Sequence, residues 1–251
     1  MKVSAEAGVP GATREYQLIV VGGGVAGSEA AYACASAGLD TLLVTTSLDT
    51  IYALAHDRFE LEPSAGTLMA GLLGEGRRSV AAQTLRSEAK YALEDLATLH
   101  LLQSSVTGLM AGGGVLRGIA TWEGVDRFAP RVALCVGSFL EARLRIGDLI
   151  ETAGRLSEMA YDDLYQDLCG SGFEFEEVVL ELPAQEGVLP YTIRCKRFRA
   201  TEIGADGFSL TRFPGLFGAG VCVRGGLRYE EAAADGRALG QAIVAAVQAH
   251  P

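Results

Sequence analysis

A four-residue apolar run, Leu18 to Val21, opens directly onto a glycine cluster in which Gly22, Gly24 and Gly27 hold G-x-G-x-x-G spacing. Such a run bounded by glycine predicts a buried strand feeding a tight turn. Small and apolar residues then recur at helical spacing, at Val25, Ala26, Ala30, Ala31, Ala33, Cys34 and Ala37. Gly38 suits the C-terminal cap of that helix, and Thr41 to Val44 predict a second buried strand. The stretch from Gln17 to Thr46 is therefore a β-α-β unit, and the rest of the chain has to be built around it.

Each glycine has its own physical task in such a unit. Gly22 permits the turn, Gly24 removes the Cβ that would block a pyrophosphate, and Gly27 lets helix and strand approach closely. The first-turn N–H groups of the helix then face the anion, so no lysine is required. Gly22, Gly23, Gly24, Ala26 and Gly27 are the candidate phosphate-binding residues of a dinucleotide site. An acidic residue commonly ends the second strand of this unit and holds the ribose, but this chain reads Val44-Thr45-Thr46 there. A threonine offers a single hydrogen bond where a carboxylate offers two.

Composition narrows the function classes. With 251 residues, 49% of them hydrophobic, and 32 glycines, the chain suits one large turn-rich domain with room for a small subdomain. A formal net charge of -10 opposes broad, nonspecific attraction to nucleic acid or anionic lipid. The five cysteines, Cys34, Cys135, Cys169, Cys195 and Cys222, are scattered without a C-x-x-C, which predicts free thiols in a reducing compartment and no zinc site. His56, His100 and His250 have no second ligand nearby in sequence and read as ordinary surface or interface residues. Residues 1–15 carry neither a secretory core nor a spanning run, so the expectation is a cytoplasmic protein with a loose tail over 1–15 and a single domain over 16–251.

Further along, residues 47–76 are broken by Pro63, Gly66, Gly71, Gly74 and Gly76 and predict loop or short helix. Residues 77–96 predict an amphipathic helix and 99–102 a third parallel strand. Three short β-type runs at 106–109, 115–122 and 127–129 predict an antiparallel meander, and 132–136 a return to the central sheet with Gly137 and Ser138 at its ligand-binding end. A helix is expected over 157–169, with Ser157 as N-cap and Glu158, Asp162 and Asp163 in its first turns. Residues 150–214 are otherwise β-rich and read as a small inserted subdomain. Residues 215–220 close the sheet with a buried strand and 229–247 form a last, alanine-rich helix. The fold class is α/β, a Rossmann-like dinucleotide-binding fold with a central parallel sheet, an antiparallel β-meander and a β-rich insert.

In this order the stretches VVGGGVAGSEAAYACASAGLDTLLVTTSLDTI, KYALEDLATLHLLQSSVTGL, VALCVGSFLEARLRIG and GLFGAGVCVRGGLRYEEAAADGRALGQAI resemble the glucose-inhibited division protein A family. These are MnmG-type flavoproteins that modify the wobble uridine of tRNA. The family's own threonine after the second strand accounts for Thr45 and Thr46. The resemblance implies FAD as cofactor, with the Val106 backbone at the adenine and Gly220, Tyr229, Glu230 and Glu231 at the flavin. Carboxylates in a first helical turn also stabilise the helix dipole without any ligand, so Glu230 and Glu231 have two readings.

Departures from the family are equally specific. Ala53-Leu54-Ala55-His56-Asp57 stands where its full-length members carry a cysteine, and Cys195 in RCKRFR does not match the second one. The family's nicotinamide-binding insert and helical C-terminal domain are without counterpart, so the resemblance covers the FAD core. An FAD-dependent oxidoreductase linked to tRNA modification is one expectation; a non-catalytic flavin-binding module, regulatory or partner protein is the other. A nicotinamide reductant and a tRNA or protein are the partners implied. A plain NAD-binding protein is the third and weakest reading. Cys222, near Gly220, Arg224 and Arg228, reads either as a flavin-proximal thiolate or as a packing residue. Arg194, Lys196, Arg197 and Arg199, with Arg143 and Arg145, read either as an RNA patch or as a charge-protected strand edge. Glu174, Glu176, Glu177 and Glu181 read as a solvated face.

Overall fold

The computed structural model describes residues 14–74, 76–156, 158–184 and 189–249. Strand β1 (Leu18–Val21) passes through the glycine turn into helix α1 (Val25–Ser36) and returns along β2 (Thr41–Thr45), with Leu18 beside Thr41 in parallel register. Residues 47–76 are more ordered than their glycines predict. Strand β3 (Arg58–Leu61) precedes a short helix α2 (Leu68–Leu73) and pairs antiparallel with β4 (Arg78–Ala81). The helix expected from residue 77 consequently starts later, as α3 (Ala82–Glu94), because its first residues are spent on the β3 ladder. Strand β5 (Leu99–Gln103) then lies parallel to β2.

The meander forms as expected, from β6 (Val106–Gly112), β7 (Val115–Thr121) and β8 (Arg127–Phe128), all antiparallel. Strand β9 (Val132–Leu134) re-enters the central sheet. Next come β10 (Arg143–Ile146), β11 (Leu149–Glu151) and the small pair β12 (Ala153–Arg155) and β13 (Glu158–Met159). Glu158 thus belongs to a strand, and helix α4 (Asp162–Gly170) begins after it with Asp162 and Asp163 in its first turn. The expected cap, Ser157, lies outside the described residues. Strands β14 (Phe175–Leu182) and β15 (Tyr191–Phe198) pair over their whole length. The chain ends with β16 (Leu216–Gly218), the four-residue helix α5 (Val221–Arg224) and the long α6 (Tyr229–Ala249).

The central sheet is parallel throughout, in the order β16-β9-β1-β2-β5. Continuous apolar strands require cover on both faces, and the alternation of side chains shows how it is supplied. Leu18, Val20, Leu43 and Ala133 face a core shared with residues of α1, α3 and α6. Ile19, Val21, Leu42, Val44, Val132 and Leu134 face the opposite core, shared with the meander and α4. A four-stranded antiparallel sheet, β11-β10-β15-β14, stands beside this body with its own cluster of Leu144, Ala153, Tyr191, Ile193 and Cys195. It draws β10 from before residue 150, so the small sheet begins ahead of the expected insert.

That small sheet decides the reading of the basic run, while Glu174, Glu177 and Glu181 of the acidic run are exposed as expected. Strand β15 is not an edge; it lies between β10 and β14, and its cations face carboxylates across the ladder. Arg197 meets Glu176 at 2.6 Å, Arg194 and Lys196 meet Glu177 at 3.4 and 3.6 Å, and Arg199 meets Glu174 at 3.5 Å. Arg143 pairs with Asp162 at 3.2 Å and Arg145 donates to the Gly147 carbonyl. The basic run is a neutralised cross-strand ladder, and three of the four glutamates are its other half. The expected tail is shorter at its inner end: Arg14 donates to Asp40 at 2.8 Å and Glu15 bridges to Phe128, while residues 1–13 lie outside those described.

Candidate functional site

A cleft of about 680 Å3 lies over the carboxyl ends of β1, β9 and β16. Its floor is the turn before α1, with Gly24, Val25 and Ala26, together with Cys135, Gly137, Ser138 and Gly220. The start of α6, at Tyr229 and Glu230, closes one side. Phe59, Glu60 and Leu61 of β3 form one wall, and Val179, Leu180, Leu182, Tyr191 and Ile193 of the small sheet form the other.

The glycine turn is built as its spacing demands. Gly22 adopts φ 108°, and a Cβ there would run into the Cys135 carbonyl. A Cβ on Gly27 would strike the Gly22 carbonyl, so only glycine lets α1 sit this close to the strand. Gly24 is different, since a Cβ on it would meet nothing within 4 Å. It is the N-cap of α1, makes no side-chain cap, and leaves the first-turn N–H groups of Val25 and Ala26 beside the cleft without a capping side chain. An open space above an uncapped helix N-terminus, with no Cβ in the way, fits a pyrophosphate.

Gly23 serves the fold. Its carbonyl accepts from Ser28 Oγ at 3.1 Å and from the Tyr52 N–H at 2.8 Å, and Thr45 packs where its Cβ would be. Thr45 ends β2 with the exposed Thr46 just past it, and the Ser104 N–H donates to the Thr45 carbonyl at 2.9 Å, which brings buried Val106 to the same corner. These three stand together beside the cleft and are not part of its lining. Ser138 does line it, with its hydroxyl donated to the Gly154 carbonyl at 2.7 Å.

Beside Ala26, Gly220 holds φ 78° and donates its N–H to Asp235 at 2.7 Å. Tyr229 reaches back to accept the Ala55 N–H at 2.8 Å and packs edge-on against Phe59. Burial pushes its phenol pKa up. Glu230 lines the cleft and accepts from the Glu62 N–H at 3.3 Å. Glu231 instead turns to the Arg228 N–H at 2.9 Å and its guanidinium at 3.1 Å, which hold its carboxylate below the usual range. Glu231 is absent from the lining.

Two carboxylates that sequence spacing did not single out support this architecture. Glu29, buried in α1, accepts from Tyr52 Oη at 2.5 Å and from the N–H groups of Leu68 and Met69 at 2.7 and 2.9 Å. It ties α1 to the loop above the turn, and it holds Tyr52 at φ 57°, a conformation rare outside glycine. Burial raises its pKa against the opposing effect of those hydrogen bonds. Asp235 accepts from Gly220 and from Arg224 Nε at 2.9 Å, fixing the turn between β16 and α5. The available signal in each case is a lone acid amid small residues, in GSEAA and AAADGRA. His56 also departs from expectation, being half-buried in the cleft wall and stacked on Phe59 at 5.7 Å.

The thiolate reading of Cys222 is overturned. Its thiol is fully buried, donates to the Leu134 and Ala219 carbonyls, and is pushed up to about 12 by burial. Arg224 and Arg228 are engaged by Asp235 and Glu231 and so do not activate it. Cys222 is a packing residue.

A family model described as "Glucose inhibited division protein A" matches residues 17–73 and 70–180, well over half of the chain. The chain belongs to this family. A GidA-related protein from Thermus thermophilus is 35% identical, with a TM-score of 0.83 over 93% of this chain and 100% of that one. Aquifex aeolicus GidA shares the fold at a TM-score of 0.82 and 17% identity, over 94% of this chain and 64% of that one. The tRNA uridine 5-carboxymethylaminomethyl modification enzyme MnmG of Pelobacter propionicus is 31% identical over 204 residues, 68% of this chain. The match covers 32% of that enzyme, so this member of the family corresponds to about a third of its curated relatives. Its fold is the Rossmann-like α/β fold expected from the glycine turn. Among the described residues no helix is long and apolar enough to cross a membrane.

Proposed function

We propose that this chain binds FAD in the cleft and works as an FAD-dependent oxidoreductase linked to tRNA modification. One observation carries the binding: the uncapped start of α1 faces open space at Gly24, in the same continuous cleft that Gly220 and the start of α6 line. In this reading the Val25 and Ala26 N–H groups hold the pyrophosphate, and the corner of Thr45, Thr46 and Val106 takes the adenosine end. Gly137, Ser138, Gly220, Tyr229 and Glu230 surround the flavin end. Gly22, Gly23, Gly27 and Glu231 act through the backbone they shape.

FAD, when bound, supplies hydride and electron transfer. The residues of the chain position it: Asp235 holds the Gly220 turn, Tyr229 holds the loop at Ala55, and apolar side chains from β14 and β15 keep water from the cleft. The link to tRNA rests on the family and on the Pelobacter relative. A nicotinamide reductant and a cytoplasmic location complete the proposal and rest on the sequence resemblance.

One observation favours the alternative, a flavin-binding module without its own catalysis. Among the described residues Cys135 is the one thiol in the cleft lining, and its burial raises its pKa far above the ordinary value. The test is the visible spectrum of the purified, FAD-supplemented protein, followed by anaerobic NADH or NADPH. Bleaching supports the oxidoreductase, a flavin that stays oxidised supports the module, and failure to take up FAD refutes both.

A further inference from the structure

Resting on the FAD reading, we propose that Trp122 is the stacking platform for the adenine ring of the cofactor. The turn over 121–124 then supplies the hold on the adenosine that the threonines closing β2 lack.

Strand β5 ends at Gln103, the chain enters β6 at Val106, and Val106 lies opposite Thr121 at the end of β7. The turn after β7 is therefore returned to the carboxyl edge of the central sheet, where α/β sheets bind ligands. Three hydrogen bonds fasten it there. The Trp122 N–H donates to the Ser105 carbonyl at 3.0 Å, Ser104 Oγ donates to Glu123 Oε2 at 2.6 Å, and the Ser104 N–H donates to the Thr45 carbonyl at 2.9 Å. The turn is closed on itself by the Gly124 N–H, which donates to the Thr121 carbonyl at 2.9 Å. Trp122 is thus tied to the end of β2 although 76 positions separate it from Thr46 along the chain.

An adenine ring has two flat faces and needs a flat apolar partner. At this corner Thr45, Ser104 and Val106 are buried, and Thr46 and Ser105 carry only short hydroxyl side chains. Trp122 is 69% exposed, which leaves most of a large ring system available for contact. Its edge is nevertheless held. Burial acts to raise the pKa of Glu123, but the Ser104 hydroxyl, the Glu123 N–H, Thr121 and the Trp122 indole N–H prevail and keep that carboxylate below the usual range. An indole gripped at its N–H and open on its face is set for a base before the base arrives, so little ordering is left to oppose binding. Stacking of a base on an aromatic side chain is worth about 5- to 150-fold in affinity, enough to offset the weaker grip of a threonine on the ribose.

Trp122 is the one tryptophan in the chain, so its emission reports on this corner alone. ADP carries the adenine without the flavin. Titrated into the full chain freed of flavin, ADP is expected to quench the Trp122 emission saturably and to compete with FAD. Trp122→Ala is expected to weaken FAD about 5- to 150-fold, and Trp122→Phe, which keeps an aromatic face, to recover most of that loss. The thermal midpoint of the flavin-free protein should stay as in the parent in both variants, because the side chain is exposed. ADP that leaves the emission unchanged overturns the inference and requires no substitution. Trp122→Ala that takes up FAD like the parent, or Trp122→Phe that loses as much as Trp122→Ala, also overturns it. In each of these cases a parent protein that still takes up FAD leaves the FAD reading standing, whereas a parent that takes up none overturns both.

Discussion

Gly24→Ala separates binding from folding more cleanly than any other change in the cleft. The residue sits at φ −69° and ψ −177°, which any amino acid adopts, and an added Cβ meets nothing within 4 Å. Two small effects on stability oppose each other. The stiffer unfolded chain stabilises by about 0.4–1 kcal/mol, and alanine is a poorer N-cap by a similar amount. The net change is within about 1 kcal/mol, or about 4 °C in melting temperature for a domain of this size. The same Cβ occupies the space proposed for the pyrophosphate, and crowding of that kind costs about 1–3 kcal/mol. FAD affinity should therefore fall about 5- to 150-fold. Gly27→Ala is the control in the other direction, because its Cβ strikes the Gly22 carbonyl and the fold itself has to give. Thermal melting of the cofactor-free protein and fluorescence titration of FAD read the two quantities independently. Gly24→Ala that binds FAD like the parent, or that melts more than about 8 °C lower, would refute the assignment of the open space above α1.

Further outcomes follow from buried groups. The raised pKa of Glu29 means the native state keeps that proton longer, so stability is greatest below the ordinary value of 4.5 and falls as pH rises to the raised folded value. Glu29→Gln should remove that slope, seen in melting temperature against pH, and should cost about 1–3 kcal/mol by leaving one donor to Glu29 unmatched. For Glu202 burial acts to raise the pKa, yet hydrogen bonds from Arg212 at 2.6 and 2.8 Å and from the Glu174 N–H prevail and lower it. Its stabilisation is present above about 4.5 and lost as pH falls through the lowered value, so the difference between parent and Arg212→Leu should vanish in acid; a constant difference would refute the pair. Native titration with a thiol reagent should find one fast cysteine of five, Cys169, because the other four are buried; a second fast thiol would contradict the packing of Cys222. Charge reversal at Arg194 and Lys196 should leave any tRNA binding unchanged, since both already face Glu177; a lost salt-dependent affinity would restore the RNA patch.

Much of this protein is legible in the chain, because several decisive signals are local. The apolar run Leu18 to Val21, the glycine turn and the small-residue helix each depend on residues within a few positions of one another. The meander is announced by Gly112-Gly113-Gly114 between β-type runs, and the last helix by its own period. Chain separation hides the rest. The β3–β4 ladder competes with the helical period of residues 77–81 and wins only once the two strands meet. Opposite charge runs in β14 and β15 look like two faces until the register sets Glu176 beside Arg197. Glu29 finds Leu68 and Met69, Asp235 finds Gly220, and His56 and Tyr191 come to one cleft only in the folded chain. The sequence by itself determined the β-α-β unit and hence the kind of ligand it suits, since backbone conformation and hydrophobic period act over short range. Tertiary structure alone decided which buried polar groups are satisfied and which charges are cancelled, because those depend on distances through space that no spacing along the chain records.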